Sequence, residues 1–362
     1  MTKKRNSNIE LLRIIAMFLI VWHHWGYINS EALGDILTYN SSVIKLSYFL
    51  GKMGVNIFFL ITGYYLCKGK FNKKKLISVV ATTEFYGLIV VIISCINPNI
   101  KIGEGFIFKL PLISSMFWFA TDYIIIYILS PYLNILIKNL PKEKFKKMII
   151  TIIIIWCIIP NAFGILGGNI GHIFEFTQLG WGIVMYFIGA YIRNNSIKIL
   201  KKQKNNLIVL VVTFVLIVVE IILFTILKEP LKSIQLYDMN LYINNANNIL
   251  ILISSIVLFN IFINMKYRKN EYINLLASSM FGVYLLHSNV VMEYIKKNIL
   301  EVPNKLIESN TPLIMTLSYT FNVMFICCII ELTRLTIVKI AKKIIKKVQK
   351  RKKITKNTWI YS

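Results

Sequence analysis

Apolar residues recur in ten long stretches along the chain, separated by short polar or charged segments. The stretches cover approximately 9–29, 46–66, 76–96, 117–137, 146–163, 176–192, 206–227, 246–264, 274–295 and 312–338. About 20 apolar residues in a helix cross the hydrocarbon core of a bilayer. The strict alternation of a membrane barrel is missing, so the pattern favours helices, whose backbone groups are satisfied internally. We therefore predict an all-α, polytopic membrane bundle of about ten transmembrane helices.

Lys and Arg residues are concentrated in every second segment between these stretches. The basic segments are 3–5, 68–75, 138–147, 193–204, 266–269 and the tail from Lys339, which together hold most of the 42 Lys and Arg residues. Cytoplasmic loops of membrane proteins carry such an excess. The distribution therefore predicts that both termini are cytoplasmic. The first stretch lacks a small-residue cleavage site, which indicates a retained helix instead of a signal peptide.

The chain divides into a membrane bundle, residues 1–338, and a basic cytoplasmic C-terminal tail, residues 339–362. The tail has the composition of a partly amphipathic helix that lies along the anionic inner leaflet. The simpler alternative is that its charges only fix the topology.

Composition excludes several classes of protein. Hydrophobic residues make up 56% of the chain and charged residues 16%, with a mean hydropathy of +0.63, which is incompatible with a soluble domain. The net charge of +26 arises from loops and forms no basic domain, so we predict no nucleic-acid partner. The five cysteines form no C-x-x-C pair, and we predict neither disulfides nor a metal site. Nucleophile-elbow, P-loop and zinc-protease motifs are also missing.

The first apolar stretch contains three ionisable residues, Arg13, His23 and His24. Such residues within a membrane span are costly and indicate function. Eleven helical positions turn through roughly 1100°, so Arg13 and His24 share one face, roughly 16 Å apart along the axis. Glu10 lies one turn before Arg13 and can pair with it. In the alternative interpretation, Arg13 extends to the inner headgroups, and the histidines belong to an outer aromatic belt.

Other polar residues lie within later stretches. His287 is predicted at a depth similar to that of His24, where it contacts substrate, takes part in catalysis or hydrogen-bonds another helix. Glu84, Asp122 and Glu220 are candidate buried acids. Glu331 and Arg334 have the spacing of a structural ion pair within one helix. His172 lies in a predicted outer loop and is treated as solvated.

An ordered series of short motifs runs along the chain: 8–24 (NIELLRIIAMFLIVWHH), 56–64 (NIFFLITGY), 117–119 (FWF), 127–134 (YILSPYLN), 186–191 (YFIGAY) and 281–287 (FGVYLLH). This series resembles that of the acyltransferase 3 family of integral membrane O-acyltransferases. An Arg followed after ten residues by a His is the family's hallmark, and Arg13 and His24 match it.

The resemblance implies transfer of an acyl group, commonly acetyl, from cytoplasmic acyl-coenzyme A to a hydroxyl of a cell-envelope glycan, in a bacterial plasma membrane. Arg13 and the basic loop from Lys68 to Lys75, which includes Lys73 and Lys74, would meet the phosphates of the coenzyme. His24 would act as general base or transient acyl carrier, with His287 as a further catalytic residue. We also predict that three further residues contact the substrate: His23, Trp118 and Glu220. Acyl-coenzyme A is a donor substrate here, and no permanently bound cofactor is predicted.

The sequence departs from the family pattern at two places. The loop after the second stretch usually carries Arg-x-x-Arg, but residues 71–75 are FNKKK, and lysine lacks the bidentate geometry of arginine. A histidine often found before the Trp-Phe motif is replaced by Met116 and Phe117. The main alternative function is a transporter or flippase for a lipid-linked sugar or other envelope precursor. A third possible function is that of a non-catalytic scaffold in an envelope synthesis complex.

Overall fold

The computed structural model describes residues 5–27, 38–102, 117–165, 177–195, 202–232 and 245–358. These residues form helices and no strand, as the all-α prediction requires. His172 and Met116 lie outside the described residues.

Fourteen α-helices are described within these ranges. They are α1 Ser7–Tyr27, α2 Tyr39–Leu66, α3 Lys73–Ile96, α4 Trp118–Asn139, α5 Lys142–Ile153, α6 Ile159–Ile165, α7 Gln178–Asn194, α8 Gln203–Lys232, α9 Ile249–Ile263, α10 Glu271–Ser278, α11 Met280–His287, α12 Val290–Tyr294, α13 Val302–Glu308 and α14 Pro312–Thr358. A π-helical turn, Ile154–Ile158, joins α5 to α6, and another, Ile295–Ile299, continues α12.

Six helices of the described chain are long and apolar enough to cross a membrane. They are α2, α3, α4, the continuous α5–α6 unit, α8 and α14, and the bent unit from α10 to residue 299 would be a seventh. Helices α7 and α9 have only 17 and 15 residues. The count of ten crossings and the cytoplasmic placement of both termini therefore stay predictions.

The predicted ninth stretch is not one straight helix. The chain bends by 65° between His287 and Val290. Asn289 has extended backbone geometry, and its side chain accepts hydrogen bonds from the amides of Val291 and Met292, at 3.0 and 3.1 Å. This N-cap starts a new helix at Val290. Because of the bend, His287 is the last residue of α11, and the chain leaves the helical path directly after it.

Helix α2 lies at the centre of the bundle and packs against α1, α7, α8 and α9. Glycines permit its closest crossings. A Cβ atom on Gly54 would lie 2.5 Å from the backbone oxygen of Ala16 in α1, and one on Gly63 would overlap the backbone of Tyr186 in α7. Helix axes can approach this closely only where side chains are small. The crossing with α1 fixes the depth and rotation of the helix that carries Arg13 and His24.

Buried polar side chains tie the helices together, and apolar side chains cover the outer surface. Asn56 donates to the carbonyl of Ala246 at 2.8 Å and accepts from the indole of Trp181 at 2.9 Å. In contrast, α3, α8 and α14 expose rows of Ile, Leu, Val and Phe. An exposed apolar surface of this extent is typical of contact with lipid.

A Cβ atom at Gly63 should destabilise the bundle. We expect Gly63→Ala to lower stability by about 1–3 kcal/mol because the α2–α7 crossing must separate. Gly69→Ala is the matched control, since its Cβ would meet atoms only at 3.4 Å or beyond. Thermal unfolding in detergent, followed by tryptophan fluorescence, measures the difference. Equal midpoints for both variants would contradict the close crossing.

Candidate functional site

Two histidines from distant parts of the chain form a hydrogen-bonded pair inside the bundle. His24 Nδ1 lies 2.9 Å from His287 Nε2, and the ring centroids are 4.9 Å apart. His24 is in the last turn of α1 and His287 is the last residue of α11. His287 is only 1% exposed. The two intramembrane histidines predicted at similar depth are therefore direct neighbours.

The partners of His287 determine which nitrogen carries each proton. His287 Nδ1 lies 2.6 Å from the carbonyl oxygen of Val283, which can only accept, so Nδ1 donates. In a neutral ring, Nε2 of His287 must then accept, and His24 Nδ1 is the donor. Neutral rings are favoured because two adjacent cations in an apolar bundle are costly. This arrangement leaves the lone pair on Nε2 of His24, the form that a general base or nucleophile requires.

His23 has different surroundings from His24. Its ring meets the edge of Tyr48 at 5.0 Å and lies against the backbone of Gly51 in α2. Its Nδ1 atom is buried and has no hydrogen-bond partner among the described residues. The ring centroid of His23 lies 5.4 Å from that of His24. His23 is therefore a neighbour of the histidine pair and not a member of it.

A cavity of about 730 Å³ lies beside the N-terminal half of α1. Five cationic side chains and one carboxylate line it: Arg5, Arg13, Lys68, Lys75, Arg193 and Glu10. Arg5 lies just before α1, and Glu10 and Arg13 lie in its first turns. Lys68 follows α2, Lys75 is at the start of α3 and Arg193 is at the end of α7. These regions meet at one end of the bundle. The excess positive charge makes this end of the cavity suited to a polyanionic ligand.

Tyrosines orient two of the arginines at this end. Arg193 donates to the hydroxyl of Tyr64 at 2.7 Å, and its guanidinium lies 4.6 Å from the centre of that ring. Arg13 pairs with Glu10, as their spacing predicts, and lies 5.8 Å from the ring of Tyr65. Cation–π contacts of this kind hold a guanidinium in place. The site combines charge with aromatic surface, both of which a nucleotide can use.

The other end of the cavity is apolar and leads towards the histidine pair. Met17, Phe58, Phe119 and Tyr284 line it. The hydroxyl of Tyr284 accepts from the amide of Phe119 at 3.2 Å, and its ring centroid lies 6.3 Å from that of His287. His24 and His287 are not part of the wall. A long, narrow ligand would have to pass the Tyr284–Phe119 contact to reach them.

The family model described as an acyltransferase domain, of the acyltransferase 3 family, matches residues 6–332. The chain belongs to this family. Searches of curated proteins and of solved structures find no match. The match runs from the start of α1 to Leu332 in α14, and so includes both histidines and every residue that lines the cavity except Arg5. Together with the apolar helices, it identifies a multi-pass membrane acyltransferase and favours that function over the transporter alternative.

The remaining candidate residues of the acyltransferase lie in several different parts of the structure. Of the three lysines Lys73, Lys74 and Lys75, only Lys75 lines the cavity, while the other two are exposed at the start of α3. Trp118 packs on Phe119 with ring centroids 5.9 Å apart. Glu220 in α8 accepts from the amide of Asn248 at 3.4 Å. Neither Trp118 nor Glu220 lines the cavity, and their roles as substrate contacts stay predictions.

Several cavity residues were not singled out by sequence reasoning. Arg5 and Arg193 were counted only as basic loop residues, although Arg193 lies two residues after the 186–191 motif. Lys68 belongs to the basic loop that was predicted to meet the coenzyme phosphates, and it lines the cavity. Tyr284 lies inside the 281–287 motif, but its position between cavity and histidine pair depends on α11 meeting α4. A charged residue at a helix end, close to a family motif, is the sequence signal that could have identified Arg193.

The histidine pair should act as one unit in acyl transfer. We expect His24→Ala to lower the rate by about 10²- to 10⁴-fold, the range typical of a lost acid–base group. His287→Ala should cause a smaller loss, because it removes only the partner that fixes the His24 tautomer. The double variant should be no slower than His24→Ala alone. Rates are measured on purified protein in nanodiscs, and independent, multiplying effects would contradict the pairing.

Proposed function

We propose that this acyltransferase moves an acetyl group from cytoplasmic acetyl-coenzyme A to a hydroxyl of a cell-surface or lipid-linked glycan in a bacterial plasma membrane. The observation that carries the proposal is the cavity, which is lined by five cations and also by Tyr284, whose ring centroid lies 6.3 Å from that of His287. The phosphates of the coenzyme would bind at the cationic end. By the distribution of Lys and Arg, this end faces the cytoplasm.

The shape of the cavity supports a coenzyme A donor in particular. The coenzyme combines a phosphorylated nucleotide with a long, uncharged pantetheine arm that ends in the thioester. Met17 lies seven residues before His24 on α1, or roughly 10 Å along the axis. The arm would extend over this distance, past Tyr284, and bring the thioester to Nε2 of His24.

The proposed chemistry is direct transfer with His24 as general base. Nε2 of His24 takes the proton of the acceptor hydroxyl while the hydroxyl oxygen forms a bond to the acetyl carbonyl carbon. The bond between carbon and sulfur then breaks, and the thiolate of the coenzyme receives the proton from His24. The products are an acetyl ester and free coenzyme A, and His24 returns to its starting tautomer. His287 stabilises that tautomer through Nε2.

The donor site is tested by changing cations that line the cavity. Arg193→Ala and Lys75→Ala should each raise the KM for acetyl-coenzyme A about tenfold, since a charge-assisted hydrogen bond is lost, and leave kcat largely unchanged. Lys147→Ala is the control, because Lys147 is exposed on α5 away from the cavity. Steady-state release of the thiol measures both constants. An equal effect of all three variants would mean that general charge, and not this cavity, attracts the donor.

The role of His24 is tested by looking for an acetylated protein. Purified enzyme is incubated with labelled acetyl-coenzyme A without acceptor, and label on the protein is measured before and after neutral hydroxylamine. Direct transfer predicts no stable label. Hydroxylamine-sensitive label that disappears in His24→Ala would instead make His24 a covalent carrier. In cells, loss of O-acetylation of the surface polysaccharide in His24→Ala is the expected result, and unchanged acetylation would refute the proposed acceptor.

A further inference from the structure

Two lysines lie near the histidines, away from the cationic end of the cavity. Lys296, in the π-helical turn after α12, is only 2% exposed, and its Nζ lies 5.1 Å from the centre of the Trp25 ring. Trp25 directly follows His24. This lysine is therefore buried inside the protein beside the last turn of α1.

Lys52 reaches the same region from α2. It follows Gly51, the residue whose backbone contacts the His23 ring. The positive charges of Lys52 and Lys296 both act on His23 and on His24. Two cations from different helices thus converge on the C-terminal end of α1, where Arg13 and the cavity cations are far away. Arg13 is eleven residues, or roughly 16 Å, from His24.

One carboxylate, that of Glu293, acts on this concentration of charge in the part of the chain that is described. Glu293 forms an ion pair with Lys297 at 2.9 Å, and its charge also acts on Lys296, so it is shared between two lysines. Among the ion pairs of the described residues, none includes Lys52 or Lys296. Cations inside an apolar bundle are costly unless an anion or a dipole compensates them. The buried Nδ1 of His23 is a further polar atom here without a hydrogen-bond partner among the described residues.

The position of the lysines decides what kind of anion they suit. In the proposed reaction the donor phosphates bind at the opposite end, so these cations are left for the acceptor. The acceptor hydroxyl must approach Nε2 of His24, and the charges of Lys296 and Lys52 both act on that ring. An anionic group on the acceptor would hold the glycan there and orient one hydroxyl towards the imidazole.

We propose that Lys52 and Lys296 form an acceptor subsite that binds an anionic group, a carboxylate or a phosphate, on the glycan that receives the acyl group. This inference rests on the proposed function. It narrows the acceptor class to acidic or phosphorylated glycans, because a neutral glycan offers neither lysine an anionic partner.

The subsite is tested by equilibrium binding without acetyl-coenzyme A. Purified protein in phosphatidylcholine nanodiscs is titrated with chitotriose, chitotrionic acid and chitotriose 1-phosphate, which carry no charge, a carboxylate and a phosphate. Wild type should bind at least one of the charged oligosaccharides about tenfold more tightly than chitotriose. Which one binds better distinguishes the carboxylate from the phosphate.

Matched variants identify the residues responsible. Lys296→Met and Lys52→Met should lose the preference for charge, while Lys296→Arg and Lys52→Arg should retain it. Lys305→Met is the control, because Lys305 is exposed on α13. Thermal unfolding of each variant identifies any that fails to fold, and the arginine variants then decide the result. Equal affinities in wild type, no binding of either charged oligosaccharide, or an equal loss in Lys305→Met would overturn the proposal.

A separate transfer measurement keeps the two proposals apart. If charged oligosaccharides bind preferentially but no label moves from acetyl-coenzyme A, the proposed function fails while the anion subsite stands. If label moves equally well to neutral and charged oligosaccharides, and the lysine variants leave the acceptor KM unchanged, the subsite fails while acetyl transfer stands.

Discussion

The hydrogen bond between His24 and His287 connects the first helix of the bundle to the helix that ends where the chain bends. Inside an apolar bundle no bulk water compensates an unpaired imidazole, so each ring needs a partner from the protein. Pairing the rings with each other satisfies both at one point. Because His287 also donates to the carbonyl of Val283, the pair has a defined direction. Because the hydrogen bonds run in this direction, the lone pair of His24 is on Nε2, where it can act as a base.

One face of α1 links this pair to the cationic cavity. Arg13, Met17 and His24 follow one another along nearly the same stripe of the helix. Arg13 lies among the cavity cations, Met17 lines the apolar end, and His24 lies beyond it. The close crossing with α2 at Gly54 prevents α1 from rotating, since a different rotation would replace Ala16 at this contact by a larger side chain of α1. A single helix therefore fixes the distance between the charge that binds a donor and the base that accepts a proton.

Sequence reasoning found the parts of the site that lie on one helix. The 3.6-residue period places Arg13 and His24 on one face, and spacing alone identified the Glu10–Arg13 and Glu331–Arg334 pairs. It also located helices at each of the apolar stretches. It did not reveal that His287 bonds to His24, because 263 residues separate them and only the tertiary packing brings them together. The bend was missed for a local reason: Asn289 caps a new helix after only three polar residues, 287–289, which interrupt an otherwise largely apolar stretch.

The position of His287 depends on a buried ionic network behind it. Gly282 in α11 has no side chain, and the carboxylate of Glu331 in α14 occupies the space that a Cβ atom would need. That carboxylate receives two hydrogen bonds from Arg334, both at 2.6 Å, and one from the hydroxyl of Tyr86 in α3, also at 2.6 Å. The network thus joins α3 to α14, and Gly282 lets α11 pack directly against it. A shift of α11 towards the network would meet the Glu331 carboxylate, which charge-assisted bonds hold in place in an apolar environment. The Glu331–Arg334 pair, structural by its spacing, consequently supports the packing of the helix that ends at His287.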